Sequence, residues 1–185
     1  MNIREIECRF LNIDKENLIQ KLVALRAVDH GETLLEETIF YNTDLSWQKE
    51  GKLVRIRKSG DKIKIAYKHH KNSAVDGANE IEFGIDDYQK AQIFLKKIGL
   101  VAKREQQKKR HTFKLKGVII DIDTWPRVPT YVEFEGNTED ELKNIVSLVG
   151  YDWKNAEFHD AAWVIENIYK IPVLSMTYFT FDKFD

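Results

Sequence analysis

Charge in this chain is written in pairs with a period of two. Glu5, Glu7 and Arg9, Arg55 and Arg57, Lys62, Lys64 and Lys68, Glu80 and Glu82, Lys108 and Arg110, Asp121 and Asp123, and Glu133 and Glu135 all fall on alternate positions. The intervening positions are apolar, as at Val54 and Ile56, Ile63, Ile65 and Tyr67, Ile81 and Phe83, and Val132 and Phe134. Alternation of this kind marks β-strands. One such strand reads as an ordinary sheet with a wet face and a dry face. Seven of them demand cover for seven apolar faces, and the helical segments between them supply it from outside. A sheet closed into a barrel beneath those helices turns the charged parity into its lumen. Unpaired charges in a dry lumen would each cost several kcal/mol, so the lumen has to be wet and filled by ions or a charged ligand. The plain alternative, solvated faces with weak cross-strand ion pairs, explains any one strand but not the coherence of all seven.

The remaining pattern completes an α+β reading. Residues 2–11 alternate as a strand, Asp14 caps a helix to about Ala27 with Leu18, Leu22 and Leu25 as its apolar stripe, and Gly31 stops it. Strands are expected at about 33–43, 52–59, 62–71 and 78–85, then a helix from Asp86 to Ile98 ended by Gly99. Strands at 100–116, 117–124 and 130–136 follow, with helices from Asn137 or Thr138 to Val149 and from Phe158 to Tyr169. The expected architecture is an eight-stranded antiparallel closed tunnel barrel with helices packed outside, one domain over residues 1–185. The 29 Lys and Arg nearly cancel the 30 Asp and Glu, which argues against a dedicated nucleic-acid binder. Cys8 is the only cysteine, so no intrachain disulfide can form. No apolar run approaches the ~20 residues of a membrane span and no secretory leader is expected. A cytoplasmic protein without a membrane partner fits best; oligomeric state is not encoded.

Sorted by sign, the inward set segregates by strand. Paired carboxylates offer oxygen ligands to a hard divalent cation, Mg²⁺ or Mn²⁺. Paired Arg and Lys offer donors to phosphate. A lumen with both suits a metal–polyphosphate ligand, and like-signed pairs on neighbouring strands should make the empty lumen repel itself.

The order of these pairs resembles the CYTH superfamily, the triphosphate tunnel metalloenzymes that include class IV adenylyl cyclases and thiamine or inorganic triphosphatases. Glu5-Ile6-Glu7-Cys8-Arg9 is similar to its ExExK signature. Leu53-Val54-Arg55-Ile56-Arg57, Ile65-Ala66-Tyr67-Lys68, Glu80-Ile81-Glu82, Lys108-Lys109-Arg110, Asp121-Ile122-Asp123 and Glu133-Phe134-Glu135 match its later strands in sequence order. The resemblance implies that Glu5, Glu7, Glu133 and Glu135 hold the metal with support from Asp123. It also implies that Arg9, Arg55, Arg57, Lys68, Lys108 and Arg110 hold the triphosphate; Lys64 shares their parity. Glu5, Glu7, Arg9 and Asp123 would be the catalytic group. Glu80, Glu82 and Asp121 either ligate a second metal or orient basic side chains. Arg9 stands where the commonest signature has Lys, and an arginine is a poor proton carrier. Asn79 stands where many members place Arg.

Two reactions fit that set. Water attacking the terminal phosphorus makes a triphosphatase; a ribose 3′-hydroxyl attacking the α-phosphorus makes an adenylyl cyclase releasing cyclic AMP and pyrophosphate. The hydrolase is preferred because water is always at hand, and a polyphosphate- or nucleotide-binding module without turnover is the other alternative. The basic run from Lys103 to Lys116 reads as a strand with two charged faces before it reads as a nucleic-acid stripe. His69 and His70 lack a matching ligand pair and are placed at the surface or tunnel mouth. Trp125, Trp153 and Trp163 are read as packing, with Trp125 also able to shape the mouth.

Overall fold

The computed structural model describes residues 3–70, 74 and 78–185, with the side chains of Ile3, Arg4, Glu5 and Ala78 outside that description. Eight strands carry the fold: β1 (Ile3–Phe10), β2 (Val28–Asn42), β3 (Lys52–Ser59), β4 (Lys62–His70), β5 (Ala78–Ile85), β6 (Leu100–Leu115), β7 (Val118–Thr124) and β8 (Tyr131–Gly136). They pair in the order β2-β3-β4-β5-β1-β8-β7-β6, every pair is antiparallel, and β2 pairs again with β6. The hydrogen bonds therefore run in a circuit. A two-residue β9 (Tyr178–Phe179) adds to β6 in parallel.

The circuit is sealed unevenly, which corrects the expectation of a closed tube. β1 straddles two neighbours: residues 3–5 pair with β5, and residues 6–10 pair with β8. Along Ile6–Phe10 the edge of β1 that faces away from β8 has no strand partner among the described residues, and Arg9 exchanges both backbone hydrogen bonds with Glu157, at 2.8 and 2.9 Å. The sheet is a curled half-barrel, open where a sealed tube was expected.

Among the described residues five α-helices connect the strands: α1 (Lys15–Ala24), α2 (Ser46–Lys49), α3 (Tyr88–Lys97), α4 (Glu139–Val149) and α5 (Ala161–Asn167). Asp14, Asp87, Thr138 and Asp160 each accept a hydrogen bond from a first-turn amide, the usual way to satisfy an orphan donor. Leu18 and Leu22 of α1 and Leu142, Ile145 and Val146 of α4 pack over Cys8, Phe113, Ile120, Val132 and Phe134 on the outer face. Leu95 of α3 does the same over Phe40, Val54 and Ile56. The apolar parity is thus covered from outside, as its alternation requires.

Three expectations shift in detail, and one short helix was not expected. The first helix ends at Ala24, and Gly31 lies inside β2 at a register shift between Asp29 and Glu32. Its φ of +82° suits the irregularity that a glycine tolerates there. The helix expected over 158–169 shrinks to α5, because Asp160 caps it two residues in. The four-residue α2 carries too few residues for a period to show.

Candidate functional site

The charged parity does turn inward. A cavity of about 220 Å³ is lined by Glu7, Arg9, Arg55, Arg57, Lys68, Glu80, Glu82, Lys108, Arg110, Glu133 and Glu135, all anticipated from spacing. Glu37, Arg104, Gln106, His70 and Asp160 join them, and the sequence had singled out none of these five for the lumen. Trp125 stacks on Phe179 and donates its indole hydrogen bond to Tyr131 (2.7 Å), so β9 and the residues before it pack across one end. Ile165 and Val173 from that segment form part of the lining.

Register decides what the charges do. Strands are segregated by sign, yet most of the lumenal charges reach an opposite sign across them, so the self-repulsion expected of the whole lumen is confined to a few like-signed pairs such as Glu7 and Glu135. Arg55 Nη2 donates to Glu80 (3.0 Å) and Glu82 (3.3 Å). Arg57 Nε donates to Glu37 (2.6 Å). Lys68 Nζ lies 2.8 Å from Glu80, and Lys64 Nζ, half-exposed at the rim, donates to Glu82 at 2.6 Å. Among the described residues, the lining holds as many carboxylates as cations.

Donors already spent sort the predicted phosphate binders. Arg9 engages all three of its guanidinium nitrogens: Nε to Glu133 (2.8 Å), Nη1 to the His159 carbonyl (2.7 Å) and Nη2 to Glu7 (2.9 Å). It ties β1 to β8 and to the segment before α5. Arg110 is likewise held by Asp121, Asp123 and Glu133, each at 2.6 Å. Arg55 and Arg57 keep capacity. Arg55 Nε is buried with no hydrogen bond, a loss that a buried donor does not normally bear. Arg57 spends only its Nε among the described residues.

The carboxylates sort in the same way. Asp123 is fully buried and bound by Lys108 Nζ (2.6 Å) and Arg110, so it anchors those two cations behind the lining, where the sequence reading had it supporting a metal. Asp121 accepts from Thr112 (2.5 Å) and pairs with Arg110. Burial pushes Glu133 up, but Arg9, Arg110 and Lys108 outweigh it and hold the carboxyl well below the ordinary range. Glu80 and Glu82 pair with Arg55, Lys64 and Lys68. Glu5 lies on β1 opposite Ala78, with its side chain outside the described residues.

Glu7 and Glu135 remain. They stand directly opposite each other in the β1–β8 register. Glu135, at the open rim, has no hydrogen bond or ion pair among the described residues, and partial burial together with Glu7 raises its carboxyl above the ordinary range. Among the described residues no three such donors converge into a ready metal cage. A facing pair of oxygen donors nevertheless fits Mg²⁺ or Mn²⁺, which binds through one or two carboxylates and completes its shell with water and substrate phosphate. Lys108 differs from the arginines: burial, with Arg110 beside it, pushes its ammonium below the ordinary lysine range. The basic run from Lys103 to Lys116 splits between faces, since Arg104, Lys108 and Arg110 enter the lumen.

Comparison with known proteins agrees with this arrangement. The family model described as the CYTH domain matches residues 4–149. A proposed adenylate cyclase from Vibrio parahaemolyticus superposes with a TM-score of 0.74 at 13% identity, covering 90% of this chain and 99% of that one. The PH1012 protein of Pyrococcus horikoshii gives 0.72 at 22%, covering 84% and 96%. HpAC1 from Hippeastrum, a proposed adenylyl cyclase with a dominant triphosphatase activity, gives 0.65 at 15%, covering 90% and 96%. At these identities the likeness is one of fold. No curated protein matches in sequence. Among the described residues no helix is long and apolar enough to cross a membrane.

Proposed function

The chain belongs to the CYTH domain family, and from that membership and its lumen we propose that it is a divalent-cation-dependent triphosphatase. The observation that carries the reading is the pairing of spare arginine donors, on Arg55 and Arg57, with a facing carboxylate pair, Glu7 and Glu135, in one cavity. Because cations and carboxylates balance in the lining, a bare polyanion would leave the lumen strongly negative. A triphosphate that arrives with a divalent cation does not. When bound at Glu7 and Glu135, Mg²⁺ or Mn²⁺ supplies charge neutralisation at phosphate oxygens and acidifies water.

The protein's own residues do the rest. Arg55 and Arg57 bind phosphate oxygens, and Lys68 adds a point charge from β4. Glu37, Glu80 and Glu82 hold these cations in place, so little reorganisation is needed when charge builds on the transferring phosphoryl group. Arg9 cannot carry a proton and acts as a positioning residue for Glu7 and Glu133. Lys108 Nζ, whose proton is held less tightly than an ordinary ammonium's, donates to the departing phosphate oxygen. The triphosphatase activity of HpAC1, on a similar fold, supports the hydrolase over the cyclase. Purified protein incubated with Mg²⁺ or Mn²⁺ and a panel of triphosphates tests it. Released orthophosphate is expected; cyclic nucleotide with pyrophosphate would instead establish the cyclase, and binding without turnover the module.

A further inference from the structure

We propose that His70 is the general base of the hydrolysis, taking a proton from the water that attacks the terminal phosphorus. This rests on the triphosphatase reading and adds a residue to it. Lys108 serves the departing oxygen, and the proton of the nucleophile needs an acceptor of its own.

The lumen offers few. Glu7 accepts from Arg9 at 2.9 Å, and Glu80 is held by Arg55 and Lys68 at 3.0 and 2.8 Å. Burial pushes Glu37, Glu82 and Glu133 up, but neighbouring cations outweigh it and hold all three carboxyls below the ordinary range. A carboxylate so held is a weak base near neutral pH. Glu135 is raised, yet it is one of the two carboxylates assigned to the cation. Arginine keeps its proton throughout. Among the described residues His70 is the one histidine in the lining.

His70 ends β4 on the parity of Lys64 and Lys68, which carries it into the cavity. Gly51 fixes it there: a Cβ at position 51 would collide with the His70 carbonyl, and the His70 amide instead donates to the Gly51 carbonyl at 2.8 Å. Among the described residues neither ring nitrogen has a hydrogen-bond partner, so a neutral imidazole keeps its acceptor for a ligand or water. The charges that face the ring are Asp160 ahead of α5, Lys68 on its own strand, and Glu7 and Arg9 on β1. On the side of β3, Glu50 and Lys52 neutralise each other at 2.6 Å. Burial pushes the imidazole below its ordinary range, so it is neutral at neutral pH and ready to accept. Asp160, which lines the same cavity, favours the imidazolium once it forms. It lies beyond residues 4–149, so the acid beside this histidine is not part of the matched family segment.

The step balances without a further reactant. The water oxygen bonds to the terminal phosphorus as the bond from that phosphorus to the bridging oxygen breaks. One water proton passes to His70, and the departing diphosphate oxygen takes one from Lys108 Nζ. The imidazolium then loses its proton to solvent and the lysine regains one.

Orthophosphate release is followed from about pH 5 to 9, across the range in which a histidine titrates, for the wild type, His70→Gln and His70→Asn. Tripolyphosphate, ATP, GTP and thiamine triphosphate are the substrates, in saturating Mg²⁺ so that protons do not displace it from Glu7 and Glu135. Calorimetry gives the tripolyphosphate affinity of each protein. In both variants kcat should fall on the order of a hundredfold or more while tripolyphosphate affinity holds, which also shows the fold intact. Wild-type kcat should decline on the acid side of neutrality as the imidazole fills with a proton and can no longer take one, and the variants should lose that limb. Turnover close to the wild type, or an unchanged acid limb in both variants, overturns the assignment and leaves the triphosphatase reading standing. A loss of tripolyphosphate affinity in step with kcat in both variants also overturns it, since the ring would then shape the cavity and carry no proton. If the wild type releases orthophosphate from none of the four substrates, the triphosphatase reading falls and this one falls with it.

Discussion

Replacing Glu37 by Gln should weaken the empty protein and sharpen its response to a polyanion. Glu37 is 3% exposed. One carboxylate oxygen accepts from Arg57 Nε at 2.6 Å and lies 3.7 Å from Arg55 Nε; the other accepts from Gln106 at 2.5 Å. Gln106 cannot turn to suit a new partner without loss, because its own oxygen is taken by Arg104 at 2.8 Å. Glutamine keeps the shape, removes the charge and sets one amide nitrogen against another. Removing one partner of a buried ion pair costs about 3–5 kcal/mol. At about 2–4 °C per kcal/mol for a domain of this size, the melting temperature of the ligand-free variant should fall by roughly 6–20 °C. Scanning calorimetry near neutral pH reads this directly. Tripolyphosphate with Mg²⁺ at a hundred times its dissociation constant adds about 2.7 kcal/mol to the wild type. It should add more to the variant, in which phosphate supplies the lost counter-charge. The pH dependence has a definite sign. Burial pushes Glu37 up, but Arg57, Arg55 and Lys108 outweigh it and hold the carboxyl well below its ordinary range. Its stabilisation is therefore complete above the unfolded carboxylate value of about 4.3 and drains away as pH falls toward the depressed folded value. Wild-type and variant melting temperatures should converge in acid. A drop under about 2 °C, equal ligand increments in the two proteins, or a gap that persists in acid would each refute the counter-ion role.

Arg57→Ala should weaken tripolyphosphate far more than orthophosphate in calorimetry, since each charge-assisted contact is worth roughly 1.5–3 kcal/mol and only the longer anion spans several; equal weakening would count against the assignment. Glu7→Gln should cut turnover by on the order of a hundredfold or more, with chelator abolishing activity in the wild type, and full activity in chelator would sink the cation site. Glu135→Gln should raise the ligand-free melting temperature near neutral pH while removing the response to Mg²⁺. Because the folded carboxyl is raised, its ionised form disfavours folding as pH rises through that value, and a lower melting temperature would contradict the Glu7–Glu135 repulsion. Lys108→Arg should preserve tripolyphosphate affinity and lower kcat by on the order of a hundredfold, an outcome a purely electrostatic role for Lys108 would not produce.

Parity was legible wherever charge and apolarity alternate cleanly, as in β1, β3, β5 and β8, and the lumenal residues of those strands follow from it. Glu37 escaped because β2 reads Leu34-Leu35-Glu36-Glu37 and shifts register against β6 between Ile39 and Phe40. Two adjacent glutamates on a bulged strand give no parity to follow. Arg104 and Gln106 escaped for a related reason: β6 is polar on both faces, so period two does not distinguish the inner one. Spacing also carries no depth. Asp123 shares the parity of a metal ligand yet sits behind Lys108 and Arg110, and only the registers of β6, β7 and β8 reveal that three carboxylates are already spent on Arg110. The seam between β5 and β1 was hidden because a strand's alternation does not record that it changes neighbours halfway.

That change of neighbours sets an order of events during synthesis. Arg9 and Glu133 are 124 residues apart, and at roughly 5–20 residues per second the ribosome needs about 6–25 s to deliver β8 after β1. Until then, among the described residues, the nascent β1 has the three-residue splice to β5 to hold it, and even that waits for residue 80. A half-paired strand is a template for unwanted pairing with another chain. Glu5, Glu7 and Arg9 place a charge at every second position of this one, so the groups that later line the cavity first serve as a guard on an exposed edge. The backbone hydrogen bonds exchanged between Arg9 and Glu157, and the one from the Arg9 side chain to the His159 carbonyl, then hold the strand only after those residues have emerged.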